Sequence, residues 1–280
     1  MSAQAYTPPG STLINLSTRA QVGTGANIMI AGFVVGGSGA KQVLVRAVGP
    51  SLTTVGLTDT SILLANPKLQ LTKLDGTPLA ANDDWGNDAA IAAAGSAAGA
   101  FPLLSGSHDS ALIVTLPPGL YTALVQGVSD TTGIALVELY DLDQPAASRL
   151  INLSTRAQVG TGAQAMFAGF VVSGAAPRQL LIRAIGPTLL NLGLTSGTLP
   201  DPQLTLTKLD GTPLATNDNW DATNGVAIAA AAQQAGAFTL AAGAKDSALL
   251  TSLTTGLYTP IITDRTGTTG LALVEVYEVP

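Results

Sequence analysis

The chain is written twice. Leu13 to Ala26 reads LINLSTRAQVGTGA, and the same fourteen residues return from Leu150 to Ala163. AGFVV starts at Ala31 and again at Ala168, KQVLVRAVGP at Lys41 becomes RQLLIRAIGP at Arg178, and TGIALVELY at Thr132 becomes TGLALVEVY at Thr269. The offset is 137 residues at both ends and falls to 135 where LTKLDGTPLA recurs from Leu71 and Leu206. Solenoid repeats have periods of roughly 20–50 residues, so this period predicts two duplicated domains. The length changes fall near Gly56–Thr58 and in the Ala-rich stretch before Phe101 and Phe238. Insertions collect in exposed connections. The expected division is an N-terminal arm over 1–12, copy one over 13–143, a linker over 144–149 and copy two over 150–280.

Within each copy the apolar pattern is that of strands. Short β-branched or alternating runs bounded by turn residues occur at Leu13–Leu16, Ile28–Val35, Gln42–Val48, Lys68–Leu74, Ala111–Leu116, Leu120–Val128 and Ile134–Leu139, and each recurs in copy two. Lys68–Leu74 alternates polar and apolar, as a strand with one buried face does. Asp75-Gly76 after it supplies the positive φ of a tight turn. Seven or eight such strands per copy predict an all-β fold of two tandem antiparallel β-sandwich, jelly-roll-like domains. Each has one short Ala-rich helix, at Asp88–Ala100 and Gly225–Ala237, expected to lie across a sandwich end.

Only 11% of the residues are charged, although the mean hydropathy is +0.39; a typical globular domain has about 25% charged residues. A surface so poor in charge predicts contact with neighbours, first of all with copies of the same chain. The net charge of −6 leaves no basic patch for phosphates, so nucleic acid is not an expected partner. No apolar run approaches the roughly 18–20 residues of a membrane-spanning helix. With no cysteine, disulfides, thiolate metal sites and a cysteine nucleophile are excluded. Ala3-Gln4-Ala5 has the small-x-small form left around a signal cleavage site, which fits an extracellular or cell-surface location.

The block from Pro67 to Trp85, PKLQLTKLDGTPLAANDDW, resembles bacterial pre-peptidase C-terminal type domains. So do Asp109-Ser-Ala-Leu and the run from Leu116 to Val125, LPPGLYTALV. The opening LINLSTRAQVGTG, the RAVGPSL and NDNW segments and the closing GLALVEVY are similar to repeat modules at the ends of large secreted bacterial proteins. The resemblance implies secretion and a sandwich fold, and it brings no catalytic residues with it.

Candidate chemistry is sparse. His108, the one histidine, is replaced by Lys245 in copy two, and its neighbours Asp109 and Ser110 follow it directly in sequence. Catalytic triads converge from separate elements instead, so no enzyme is expected. Gly36-Gly-Ser-Gly-Ala-Lys41 lacks the spacing of a phosphate loop and predicts a hairpin turn. The acidic loops offer Asn82, Asp83, Asp84 and Asp88 in copy one and Asn217, Asp218, Asn219 and Asp221 in copy two. Clustered carboxylates and amides are candidate calcium ligands; the same residues also make ordinary Asx-turns. Trp85 and Trp220 follow these loops either as core plugs or as stacking platforms for surface glycans. Arg46 and Arg183 sit inside apolar strands, where a guanidinium needs a buried carboxylate, and Glu138 and Glu275 in the closing strands are the candidate partners.

Taken together, these features predict a non-catalytic extracellular structural protein. It would assemble with itself through its opening strand, Leu13, Ile14, Asn15 and Leu16, into a fibre or matrix layer. The alternative is a calcium-dependent or carbohydrate-binding adhesion module.

Overall fold

The computed structural model describes residues 11–143 and 147–280. Most of the expected N-terminal arm, including Ala3-Gln4-Ala5, and linker positions 144–146 lie outside the described residues. In copy one the strands are β1 (Ser11–Val22), β2 (Met29–Gly37), β3 (Lys41–Val48), β4 (Pro67–Lys73), β5 (Pro78–Asn82), β6 (Ser110–Leu116), β7 (Gly119–Gly127) and β8 (Gly133–Asp141). Helix α1 (Ala89–Ala97) comes between β5 and β6. Copy two follows the same order as β9 (Ser148–Val159), β10 (Met166–Gly174), β11 (Arg178–Ile185), β12 (Pro202–Lys208) and β13 (Pro213–Asn217). Helix α2 (Gly225–Gln234), β14 (Ser247–Leu253), β15 (Gly256–Asp264) and β16 (Gly270–Glu278) complete it.

The chain is all-β and predominantly antiparallel. Burial alternates strictly along β2 and β10, so that Met29, Ala31, Phe33 and Val35 face inward, as do Met166, Ala168, Phe170 and Val172. β5 and β13 differ from the sequence reading, which ended at the Asp-Gly turn. Pro78 opens β5, and proline is tolerated at a strand start.

The ladders do not stop at the copy boundary. One runs β6–β3–β8–β1 through copy one and continues β10–β15–β12–β13 through copy two. The other runs β14–β11–β16–β9 and continues β2–β7–β4–β5. Each opening strand thus closes its own copy on one edge and enters the other copy on the opposite edge. The inward residues of both copies form one apolar core, from Leu13 and Phe33 to Phe170 and Val276. Positions 144–149 divide the chain but not the hydrogen-bond network, and β9 already begins at Ser148.

β1 and β9 meet in parallel at Leu13 with Leu150 and at Gln21 with Gln158, each residue against its own equivalent 137 positions on. The buried hydroxyl of Thr18 donates to that of Thr155 at 2.9 Å, again an equivalent pair. Only a two-fold axis brings every residue to its own counterpart. The reciprocal crossings agree: Ser17 pairs with Gly169, and Ser154 with Gly32. A side chain at Gly169 or Gly32 would start 2.6 or 2.9 Å from the facing serine Oγ, so the AGFVV glycine is what lets the crossing strands close up.

The helices lie on outer sheet faces rather than across an end. α1 covers Leu44, Ala111 and Tyr140, and α2 covers Leu181, Ile185 and Ala248. This follows from β3, β8, β11 and β16 being buried on both faces, which requires a second layer on the side away from the core.

Candidate functional site

The most elaborate side-chain arrangement is built twice, under the helices. Arg46 stands on β3 opposite Glu138 on β8, and Arg183 on β11 opposite Glu275 on β16. Arg46 Nε donates to Glu138 Oε2 at 2.8 Å, Nη2 donates to the same oxygen, and Nη1 donates to the Phe101 carbonyl at 2.8 Å. Arg183 binds Glu275 in the same way and donates from Nη1 to the Phe238 carbonyl at 2.6 Å. The guanidiniums lie over the Phe101 and Phe238 rings, at 4.7 and 4.3 Å from the centroids. The second carboxylate oxygens accept from the Tyr140 and Tyr277 hydroxyls, both at 2.7 Å. Burial, reinforced by the adjacent glutamate charge, pushes both phenols well above their ordinary pKa. All these charges are buried and internally matched.

Beside each arginine is a tryptophan. Trp85 donates from Nε1 to the Leu104 carbonyl at 3.2 Å, and Trp220 to the Ala241 carbonyl at 3.0 Å. Both indoles are buried and present no ring to a surface glycan. Between helix, indole and guanidinium lies a cavity, about 320 Å³ in copy one and about 450 Å³ in copy two.

Asp109 and Asp246 anchor the loop before each cluster, which sequence reasoning missed. Asp109 accepts from Gly49 N at 2.8 Å, Ser107 Oγ at 2.6 Å and Ser51 Oγ. Asp246 accepts from Gly186 N at 2.8 Å and from Thr188 Oγ1. Asp109 is fully buried, while His108 faces out and meets only Asp84, 2.6 Å from its Nδ1. The signal was available: Asp109 recurs in copy two and His108 does not.

The acidic loops serve their own backbone. Asn82 accepts from Ala111 N at 3.1 Å and donates to the Asp84 carbonyl at 2.9 Å, tying β5 to β6. Asn217 repeats this with Ala248 and Asn219. Asp88 caps α1 by accepting from Ala90 N at 2.7 Å, Asp218 pairs with Arg265, and Asp221 accepts from Gly243 N at 2.7 Å. Asp83 is exposed. Among the described residues no three acidic or histidine side chains gather in a group able to hold a metal ion.

The four opening-strand residues are committed within the chain. Leu13 and Leu16 are fully buried, and β1 has β8 on one edge and β10 on the other. Leu13 N donates across the copies to Glu278 at 3.1 Å. Contact between subunits at Asn15 and Leu16 would therefore have to replace an internal pairing, because β1 is paired on both edges there, whereas Leu13 and Ile14 lie beyond the end of the β8 ladder.

No protein-family model and no curated protein sequence matches the chain. Among solved structures, a DUF4785 family protein from Legionella pneumophila aligns over 95% of this chain and 82% of its own, with 10% identity and a TM-score of 0.26. A likeness that distant carries no argument about fold or function.

Proposed function

We propose that this is a non-catalytic, exported structural protein, a duplicated β-sandwich that polymerises by remaking between molecules the junction its two copies make within one. The observation that carries this reading is the crossed ladder. β1 and β9 are identical from Leu13 to Val22 and Leu150 to Val159, and the strands that receive them share AGFVV. A groove that accepts β9 therefore accepts β1 as well, whether from its own chain or from another. If copy one of one molecule docks on copy two of the next, each subunit still offers one unused copy at either end. Exchange of an identical element is an inexpensive route to assembly, and in sequence only a short segment, from Asp143 to Ala147, joins the two copies.

Two further features support the reading. The charge-poor surface carries paired exposed leucines, Leu74 at 70% and Leu120 at 52% in copy one, Leu209 at 71% and Leu257 at 49% in copy two. Leu74 N donates to the Leu120 carbonyl, so the first pair forms a single patch. Such patches, repeated by the duplication, suit lateral contacts between filaments.

The length of the joining segment tests the proposal. Removing Gln144–Ala146 restrains the two copies of one chain from reaching each other, and a long Gly/Ser insert there raises the share of closed monomer. Light scattering and negative-stain microscopy are expected to show longer assemblies for the deletion and fewer for the insertion. A monodisperse monomer for all three proteins at millimolar concentration overturns the reading.

A further inference from the structure

The geometry points to a second property, independent of assembly: the twin cavities bind a small, uncharged, largely apolar molecule bearing one hydrogen-bond acceptor. In copy one Arg46, Trp85, Ile91, Gly95, Phe101 and Leu103 line the space. In copy two Arg183, Trp220, Ile228, Ala232 and Leu240 do so. Size comes first. An apolar cavity of about 150 Å³ holds benzene, so these volumes take a molecule of two fused rings. Ligand sites are typically clefts of about 300–1,000 Å³ with apolar walls and few polar groups, and both cavities fall in that range.

The space has a structural cause. α1 reads AAIAAAGSA, and these small residues cannot fill the gap above the indole. Arg46 and Gly95 both line the cavity, so the guanidinium borders an open volume, and a side chain added at Gly95 would meet Arg46 Nη1 in ordinary contact at 3.9 Å. A guanidinium has five N–H donors. Three are engaged by Glu138 and the Phe101 carbonyl, which leaves one N–H on each terminal nitrogen to meet an acceptor. Arg183 has the same disposition.

The same cluster sets the charge of the occupant. Arg46 with Glu138, and Arg183 with Glu275, are neutral pairs. An anion would compete with the glutamate for the arginine, and a cation would face the guanidinium; either leaves a buried charge poorly matched. A ketone, ether or hydroxyl oxygen takes the free N–H at no such cost.

The experiment uses the intact chain with 1-tetralone as probe, against tetralin, which lacks the oxygen, and 1-naphthoate, which adds a charge. Trp85 and Trp220 are the only tryptophans, so indole fluorescence reports on these two sites alone, with calorimetry giving the stoichiometry. The expected result is saturable binding of two tetralones per chain, at least tenfold tighter than either comparison compound. Ala92 and Ala229 are exposed on the helices and line the cavities. Ala92→Phe or Ala229→Phe should reduce two sites to one, and the double variant to none, with the fold checked by circular dichroism. Absence of saturable tetralone binding, or two sites persisting in the folded double variant, overturns the assignment. Either result leaves the assembly proposal standing.

Discussion

If the ladders cross as described, cutting the peptide chain between the copies should not separate them. The perturbation is a protease site in place of Gln144-Pro145-Ala146, cleaved after folding. Two crossings hold the halves together, β1 on β10 from Ser11 to Arg19 and β9 on β2 from Ser148 to Arg156. At a net ~0.5–1.5 kcal/mol per hydrogen bond, two ladders of about eight residues supply roughly 16 kcal/mol at the central value. Leu13, Leu16, Leu150 and Leu153 are sealed at the junction, and at ~1.5–3 kcal/mol each they add about 9 kcal/mol. Against an association cost of ~4–15 kcal/mol the surplus is about 15 kcal/mol, beyond the ~12 kcal/mol of a nanomolar complex. Size-exclusion chromatography with light scattering at micromolar concentration should show both fragments in one peak of full-length mass. They should part only in denaturant. Two folded halves eluting separately would refute the crossed topology and the reasoning built on it.

Other perturbations bear on single sites. Arg46→Met strands Glu138 in the core and should cost about 3–5 kcal/mol in denaturant unfolding, whereas adding Glu138→Leu should recover most of that loss. Gly49→Ala should destabilise by about 1–3 kcal/mol through overpacking, because its Cβ would lie 2.0 Å from the Leu64 carbonyl oxygen; Gly186→Ala, 2.0 Å from the Leu199 oxygen, should match it. Burial, opposed by Arg149, holds the Glu278 carboxyl above the usual glutamate range. A carboxyl with a raised pKa binds its proton more tightly folded than unfolded, so its contribution falls as pH rises through that interval. The stability of the native chain relative to Glu278→Gln should therefore decline from the ordinary glutamate pKa upward, measured by urea titration at successive pH values; a flat difference contradicts the shift.

Much of the fold was legible because strand periodicity and turn chemistry are local. Lys68–Leu74 announces itself by alternation, and its Asp-Gly turn marks where it ends. The partners of β1 were not legible, and duplication is the reason. β2 and β10 share AGFVV and alternate alike, so sequence cannot tell pairing within a copy from pairing across copies. Arg46 in an apolar strand carries its own signal, since a buried guanidinium requires a carboxylate in reach, and Glu138 is the charged residue of β8 directly opposite. The cavities gave no such signal: an alanine helix reads as helix whether or not it fills the space beneath it. His108 drew attention as the lone imidazole, although it lies exposed in the loop before β6, while its neighbour Asp109 is drawn into the core by Gly49, Ser51 and Ser107.

The hydroxyls of Thr18 and Thr155 face each other across the pseudo-symmetry axis, and a hydrogen bond has a direction. One oxygen must give its proton and the other receive it, so two positions identical in sequence and surroundings cannot have identical roles. A dimer of separate chains would face this choice with nothing to bias it. Joining the copies in one polypeptide lets mutation act on each position alone, so a residue that only accepts can replace one threonine without appearing at the other.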